Sequence, residues 1–270
     1  MVLRTRRWGD AGADGVVCIH GLTQHGGVFD PLARRLAAAG HFVVAVDLRG
    51  HGGSGAEPPW GEASHVDDLL ETIDELGLER VSWVGHSFGG RLAAAVAARS
   101  PRRTERLALL EPGLRIPPAR ALQAAETERL DWSFATLDGA IQALLSSPTM
   151  TAAAPRDVVA AYAEDDVRRG PDGRLRFRFS PAAAVVAWSE MTLPAPPMVR
   201  CPTLFLRAAV SLVDPAQLAR YEAELGELLS VVEVGDGHNV LWESPEPTAR
   251  AVERLLAVPP LPGSTEADRA

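Results

Sequence analysis

The stretch Val81-Ser-Trp-Val-Gly-His-Ser-Phe-Gly-Gly90 decides how this chain folds. Its apolar start predicts a buried strand over 81–85, and the alanine-rich segment 89–99 predicts a helix directly after it. The pattern Gly-x-Ser-x-Gly between them predicts a tight turn that lifts the Ser87 hydroxyl above the sheet. Glycine keeps the crowded flanks of such a turn free of side chains. Ser87 is therefore a candidate nucleophile, and the helix N-terminus behind it favours a developing oxyanion.

Outward from this motif, short apolar runs alternate with longer helical segments. Strands that are apolar on both faces are predicted at 16–20, 42–47, 81–85, 107–111, 203–206 and 231–234. Helices are predicted at 31–39, 66–76, 89–99, 215–225 and 248–256. This alternation predicts an α/β fold with a doubly wound, mostly parallel sheet. Ligands bind such sheets beyond the carboxyl ends of the strands.

The alternation is interrupted between residues 113 and 200. Helical patterns at 119–132, 137–145 and 157–167 precede a polar turn, a short aromatic run and a proline-rich exit. We interpret 113–200 as a helical cap inserted into a core that is formed by 1–112 and 201–258. The last residues, 259–270, are rich in proline, glycine and polar side chains and are expected to form a flexible tail.

Composition excludes several classes of binding partner for this chain. The formal net charge of −8 and the lack of long basic runs argue against nucleic acid. No apolar stretch approaches the length of a membrane span, so we expect no stable insertion into a membrane. Residues 1–10 lack the apolar core of a signal peptide, which makes the cytoplasm the expected location. The two cysteines, Cys18 and Cys201, predict neither a disulfide framework nor a metal site. The oligomeric state stays open.

Two further loops supply candidate groups for an active site. The pair His20-Gly21 ends the first strand, and the next amide, that of Leu22, is predicted to face a substrate carbonyl oxygen. The amide of Phe88, just after Ser87, is the second predicted donor. His238 lies in a loop of small residues after the last strand and is the candidate general base. We interpret His20 as a structural residue that supports its loop.

Four motifs together make the chain resemble the α/β-hydrolase superfamily. They are His20-Gly21, Asp47-Leu-Arg-Gly-His-Gly-Gly-Ser54, Gly85-His-Ser-Phe-Gly-Gly90 and Gly237-His238. The resemblance covers nearly all of the sheet-forming chain, and the cap is similar to that of small bacterial serine esterases and lipases. It implies that Ser87 attacks an ester carbonyl while His238 takes its proton. This mechanism implies no metal ion and no organic cofactor.

Two acids compete for the third position of the catalytic triad. In most of the superfamily the acid follows the strand that is 203–206 here, but Ser211 stands where aspartate is expected. A minority places the acid after the preceding strand, which here ends at Glu111, and burial there would require a partner such as His238. Asp214 is the alternative acid, although aspartate before proline is also a common helix start. Glu111 is favoured, and the weaker candidates are Asp47 and Asp236.

The expected substrate is a carboxylic ester with a small, apolar acyl group. Aromatic side chains of the cap and the core loops are the candidate pocket lining: Phe29, Trp132, Trp188 and Trp242. Thioesters, carbon–carbon bonds and lactones are alternative substrates for the same fold. A non-catalytic ligand-binding protein is the alternative from another class. The displaced acid supports that alternative, whereas the intact Ser87 and His238 count against it.

Overall fold

The computed structural model describes residues 1–146, 154–209, 211, 213–235 and 237–261, so most of the predicted tail and Asp236 lie outside the described residues. The described residues form ten strands: β1 Thr5–Trp8, β2 Gly15–Ile19, β3 Phe42–Val46, β4 Val81–His86, β5 Thr104–Leu110, β6 Ser133–Phe134, β7 Val167–Arg169, β8 Leu175–Phe177, β9 Thr203–Arg207 and β10 Leu229–Glu233. Seven of them build the main sheet in the order β1-β3-β2-β4-β5-β9-β10. All neighbours in it are parallel except β1 and β3.

Ten α-helices accompany these strands within the described residues. They are α1 Asp30–Ala38, α2 Glu62–Glu75, α3 Phe88–Arg99, α4 Pro118–Glu128, α5 Leu137–Leu145, α6 Arg156–Asp166, α7 Pro181–Glu190, α8 Pro215–Leu225, α9 Val240–Glu243 and α10 Pro245–Leu256. Each of the five helices predicted around the sheet is present, although α2 begins four residues earlier than the apolar pattern alone indicated. None of the described helices is both long enough and apolar enough to cross a bilayer.

The apolar strands are buried on both faces because successive side chains point to opposite sides of the sheet. Val16 and Cys18 of β2 belong to a core cluster that also contains residues of α1 and α10. Val17 and Ile19 belong to a second cluster, which contains residues of α2, α3 and α8. Helices therefore cover both faces, and the predicted doubly wound, mostly parallel α/β fold is confirmed.

The two edges of the sheet differ from the prediction. The first edge strand, β1, was not predicted, because its sequence Thr-Arg-Arg-Trp carries little apolar pattern. The last strand, β10, was predicted to be buried on both faces, and this was wrong. Val231 is 40% exposed, since β10 has a neighbour on one side only. Apolar composition alone does not distinguish an edge strand from a central one.

Residues 113–200, the cap segment, leave the sheet after β5 and return to it at β9. Besides the predicted helical regions, the segment contains the helix α7 and a small antiparallel sheet in the order β6-β8-β7, neither of which was predicted. The helix α4 ends at Glu128, short of the predicted end at 132. The cap segment contacts the core loops, since Phe179 pairs with His51 in an isolated bridge. We propose that it forms a cap over the carboxyl ends of the strands.

Candidate active site

The turn between β4 and α3 places Ser87 at the centre of the sheet. Ser87 has φ +55° and ψ −118°, a conformation that L-residues rarely adopt and that functional turns tolerate. The flanking residues must be glycine. A Cβ on Gly85 would lie 2.2 Å from the Gly89 carbonyl oxygen, and one on Gly89 would lie 2.0 Å from the Ile19 carbonyl oxygen. The sequence therefore places the serine in a half-buried position at the start of a helix.

A continuous chain of hydrogen bonds joins three side chains from three separate loops. The Oγ atom of Ser87 lies 2.9 Å from Nε2 of His238. The other ring nitrogen of His238, Nδ1, lies 3.1 Å from Oε2 of Glu111. With Nδ1–H donated to the carboxylate, Nε2 is the unprotonated nitrogen that can accept the serine proton. The structure thus brings together the nucleophile, base and favoured acid of the sequence analysis.

Glu111 is fully buried but well supplied with hydrogen bonds. Its Oε1 accepts the amide of Ala208 at 2.8 Å and the hydroxyl of Ser211. Burial by itself raises the pKa of Glu111, but the hydrogen bond and charge of His238 together with the Ser211 and Ala208 hydrogen bonds outweigh it. The pKa of Glu111 consequently lies below its ordinary value, so the carboxylate is ionised at neutral pH.

The competing acids have other structural roles. Asp214 is exposed and caps α8, because its Oδ1 accepts the amide of Ala216 at 2.9 Å. Asp47 is buried and accepts the amides of Gly26 at 2.8 Å and Gly53 at 2.7 Å, which ties two core loops together. Asp236 lies outside the described residues.

The two predicted oxyanion donors flank Ser87. Leu22 lines the same cavity as Ser87, and Phe88 is the first residue of α3, where backbone amides have no acceptor within the helix. Within the described part of the chain, neither amide donates to another protein group. The role of the two amides as oxyanion donors stays a prediction.

His20 and His86 hold the loops around the site. The amide of Leu48 donates to Nε2 of His20 at 2.9 Å, so the proton is on Nδ1 and is donated to the Gly21 carbonyl at 2.7 Å. Burial lowers the pKa of His20 well below its ordinary value. His86 Nε2 lies 3.0 Å from the His238 carbonyl oxygen, and burial, with the nearby His238, lowers the pKa of His86 to about 3. Both rings are neutral at physiological pH.

A cavity of about 480 Å³ opens at Ser87 and His238. Three of the four predicted lining residues border it: Trp132, Trp188 and Trp242. Phe29 does not, because its side chain is fully buried in the core cluster that contains α1. An apolar residue in a core loop carries no local signal that separates a pocket position from a core position.

The sequence analysis missed one wall of this cavity. The wall is a face of α4, formed by Arg120, Gln123, Ala124, Thr127 and Glu128. Their spacing of three or four residues is helical periodicity, but these side chains are mostly polar and match the pattern of a solvated surface. The orientation of α4 toward the cavity follows from its packing on α7, which only the tertiary structure shows.

The fold and the position of Ser87 define the class of protein. A family model described as the α/β-hydrolase fold matches residues 15–245. The chain belongs to the α/β-hydrolase fold family.

Individual relatives cover nearly the whole chain. It is 31% identical over 258 residues to the lipase LipV of Mycobacterium tuberculosis, over 94% of this chain and 97% of that one. It is 32% identical over 218 residues to the pimeloyl-[acyl-carrier protein] methyl ester esterase of Chromobacterium violaceum, over 77% and 80% of the two chains. Among solved structures, E-2-(acetamidomethylene)succinate hydrolase is similar with a TM-score of 0.83 at 27% identity, over 95% of both chains. These similarities support a hydrolase.

Proposed function

We propose that the protein is a serine hydrolase that cleaves a carboxylic ester through an acyl-enzyme. The observation that carries the proposal is the hydrogen-bonded chain from Ser87 Oγ through both nitrogens of His238 to Glu111, with steps of 2.9 and 3.1 Å. Nucleophilic catalysis by serine needs a base in hydrogen-bond contact and an acid that orients this base. The similarity to a lipase and to a methyl ester esterase points in the same direction.

In the proposed mechanism, Nε2 of His238 takes the proton of Ser87 while Oγ attacks the ester carbonyl carbon. Glu111 holds the imidazole in place and stabilises the imidazolium that forms. The amides of Leu22 and Phe88 donate to the oxyanion of the tetrahedral intermediate. The alcohol leaves with the proton from His238. Water then attacks the acyl-enzyme by the same route and releases the carboxylic acid.

The cavity limits the size of the substrate. A volume of about 480 Å³ is in the range of small-molecule sites, and Trp132, Trp188 and Trp242 cover part of its wall with apolar surface. We therefore propose a short or medium acyl chain. The same machinery would accept thioesters, but no contact in the cavity favours them over oxygen esters.

The test is hydrolysis of p-nitrophenyl esters from acetyl to decanoyl. We expect Ser87→Ala to lose about 10⁴-fold or more in kcat/KM and Glu111→Gln to lose about 10²- to 10⁴-fold, since each removes one member of the triad. Asp214→Asn keeps activity close to that of the wild type, because Asp214 only caps α8. Full activity in Glu111→Gln and loss in Asp214→Asn would reverse the choice of acid.

A fluorophosphonate probe separates an enzyme from a non-catalytic binding protein. Labelling of the wild type and not of Ser87→Ala is the expected result, because only an activated serine reacts with the probe. If the wild type is labelled but cleaves no oxygen ester, the proposed ester substrate is wrong and thioester or carbon–carbon substrates replace it. If Ser87 is not labelled at all, the serine hydrolase proposal is wrong.

A further inference from the structure

The two walls of the catalytic cavity differ in chemistry. One wall consists of aromatic rings: Trp132, Tyr162, Phe177, Phe179, Trp188 and Trp242. The other is the α4 face, which brings Gln123, Thr127 and Glu128 to the same cavity. An alkyl chain needs no polar wall, and buried polar groups are costly unless they are hydrogen-bonded. Gln123 and Thr127 are exposed to solvent, so this cost applies to Glu128, the buried member of the face.

Glu128 is the group on this wall that most lacks a partner. Its side chain is 9% exposed, and its Oε1 accepts only a long hydrogen bond of 3.4 Å from Nε1 of Trp188. Among the described residues, the buried Oε2 has no hydrogen-bond partner, and no arginine forms an ion pair with Glu128. Burial raises the pKa of Glu128, and the Trp188 hydrogen bond opposes this only in part. A carboxylate in these surroundings gains most from a cation.

The neighbours of Glu128 favour a cation of a particular kind. The indole of Trp188 contacts the Glu128 carboxylate, and the indole of Trp132 donates to the Thr127 carbonyl at 3.2 Å. Both rings border the cavity at the last turn of α4. Indole faces attract ammonium groups, and a carboxylate beside aromatic rings is a setting that suits a protonated amine.

Arg120 does not satisfy Glu128. The two residues are eight positions apart on α4, which corresponds to about 12 Å along the helix. Arg120 is exposed, so water screens its charge at this distance. A ligand amine at Glu128 is therefore repelled only weakly by the arginine at the other end of the same wall.

We propose that Glu128 binds a protonated amine of the substrate, so that the preferred esters carry an ammonium group away from the scissile carbonyl. This inference rests on the proposed ester hydrolysis and deepens it. The amine takes no part in making or breaking bonds. It positions the substrate, while Ser87 and His238 act on the carbonyl as described above.

The test compares methyl esters of ω-amino acids with esters of the same length in which a methyl group replaces the ammonium. Over a series of chain lengths, the wild type is expected to have a higher kcat/KM for an amino ester than for its alkyl partner. In Glu128→Gln, this preference drops about tenfold or more, mainly through KM, since a charge-assisted hydrogen bond is lost. Hydrolysis of the alkyl ester stays within about twofold of the wild type, because Glu128 does not touch the reacting atoms.

Glu126→Gln is the matched control, because Glu126 lies on the same helix and is exposed and paired with Arg129. We expect Glu126→Gln to leave kcat/KM unchanged for both the amino ester and the alkyl ester. The pH dependence gives a second readout. The preference for the amino ester falls as the pH decreases through the raised pKa of Glu128, since the neutral carboxyl group binds an ammonium weakly. If Glu128 had only a structural role, its replacement would change kcat/KM for both esters by the same factor.

Two results would overturn this inference and leave the proposed function intact. One is a preference for the amino ester that is equal in the wild type and Glu128→Gln. The other is a wild type that prefers the alkyl ester at every chain length. Hydrolysis of neither series by the wild type overturns the proposed function and this inference together. If Glu128→Gln loses activity on the alkyl esters as well, the inference is tested by inhibition of the wild type with alkylammonium ions and with alcohols. Alkylammonium ions are expected to inhibit more strongly than alcohols of the same length, and equal inhibition would contradict the proposal.

Discussion

At the scale of single residues, Ser211 and Glu111 contact each other from the ends of two neighbouring strands. Ser211 stands where aspartate is common in this superfamily, and its hydroxyl donates to Oε1 of Glu111. Glu111 reaches this point from the end of β5, because β5 and β9 are neighbours in the sheet. The loop after β9 therefore contacts Glu111, the proposed acid, although Glu111 itself follows another strand.

Because Ser211 contacts Glu111, we predict that an aspartate at position 211 can take over the proposed role of Glu111. We expect Glu111→Gln/Ser211→Asp to be about tenfold more active than Glu111→Gln, since it restores a carboxylate beside His238. Ser211→Asp alone is expected to lower activity, because two adjacent carboxylates cannot both ionise easily. The measurement is kcat/KM on the best p-nitrophenyl ester. A double variant no more active than Glu111→Gln would show that position 211 cannot orient His238.

At the scale of elements, one buried arginine connects α3 to both ends of the cap segment. Arg91 is 2% exposed, and its guanidinium donates to the carbonyls of Leu114, where the cap segment begins, and Pro194, where it ends. Its Nε also pairs with Glu62 of α2 at 2.5 Å. The helix that follows the candidate nucleophile thus holds both connections between the cap segment and the core.

Replacing Arg91 tests this role. We expect Arg91→Met to lower the free energy of unfolding by about 3–5 kcal/mol, because it removes the guanidinium partner of Glu62, of the buried Leu114 carbonyl and of the Pro194 carbonyl. We also expect faster proteolysis at 113–118 and 192–197, measured by limited digestion. Arg99→Met is the control, since Arg99 lies at the end of the same helix and is 64% exposed. Equal protease resistance in both variants would contradict a role of Arg91 in holding the connections.

At the scale of the whole molecule, a buried charge cluster joins the cap segment to the core. Asp166 of the cap segment is 2% exposed and lies 3.6 Å from Nε of Arg178 and 3.9 Å from Nε2 of the core residue His25. Burial, aided by the charges of Asp47 and Asp165, raises the pKa of Asp166 to about 7, although Arg178 opposes this. The folded protein therefore keeps a proton on Asp166 that the unfolded chain releases near pH 3.8, the ordinary value.

The raised pKa predicts a loss of stability as the pH increases. The folded state binds more protons than the unfolded state from about pH 4 to about pH 7, so the contribution of Asp166 falls across this range. We expect Asp166→Asn to raise Tm relative to the wild type near pH 8 and much less near pH 5, measured by thermal unfolding. Asp157→Asn, an exposed change on the same helix, should alter neither value. An increase in Tm of Asp166→Asn that is equal at pH 5 and pH 8 would rule out Asp166 as the titrating group.

Local sequence was sufficient where a residue's role depends on its immediate neighbours. The motif around Ser87 carries its own signal, because a Cβ on Gly85 would meet the Gly89 carbonyl within the same turn. Gly89 is required by a contact with the neighbouring strand, where the Ile19 carbonyl leaves no space for a Cβ. The central strands were equally predictable, since burial on both faces leaves a continuous apolar run. Edge strands such as β1 and β10 were not, because their exposure depends on which strands lie beside them.

The sequence by itself determined the α/β sheet and the family resemblance, and it was enough to propose Ser87 and His238 as a catalytic pair. Only the tertiary structure showed that Glu111 contacts His238 while Asp214 caps α8, removed Phe29 from the cavity wall and placed Glu128 there. Each of these depends on contacts between residues far apart in sequence: Glu111 meets Ser211 across 100 positions and His238 across 127. Apolar periodicity describes one element at a time and carries no distance between loops, so such contacts become visible only when the sheet aligns the ends of its strands.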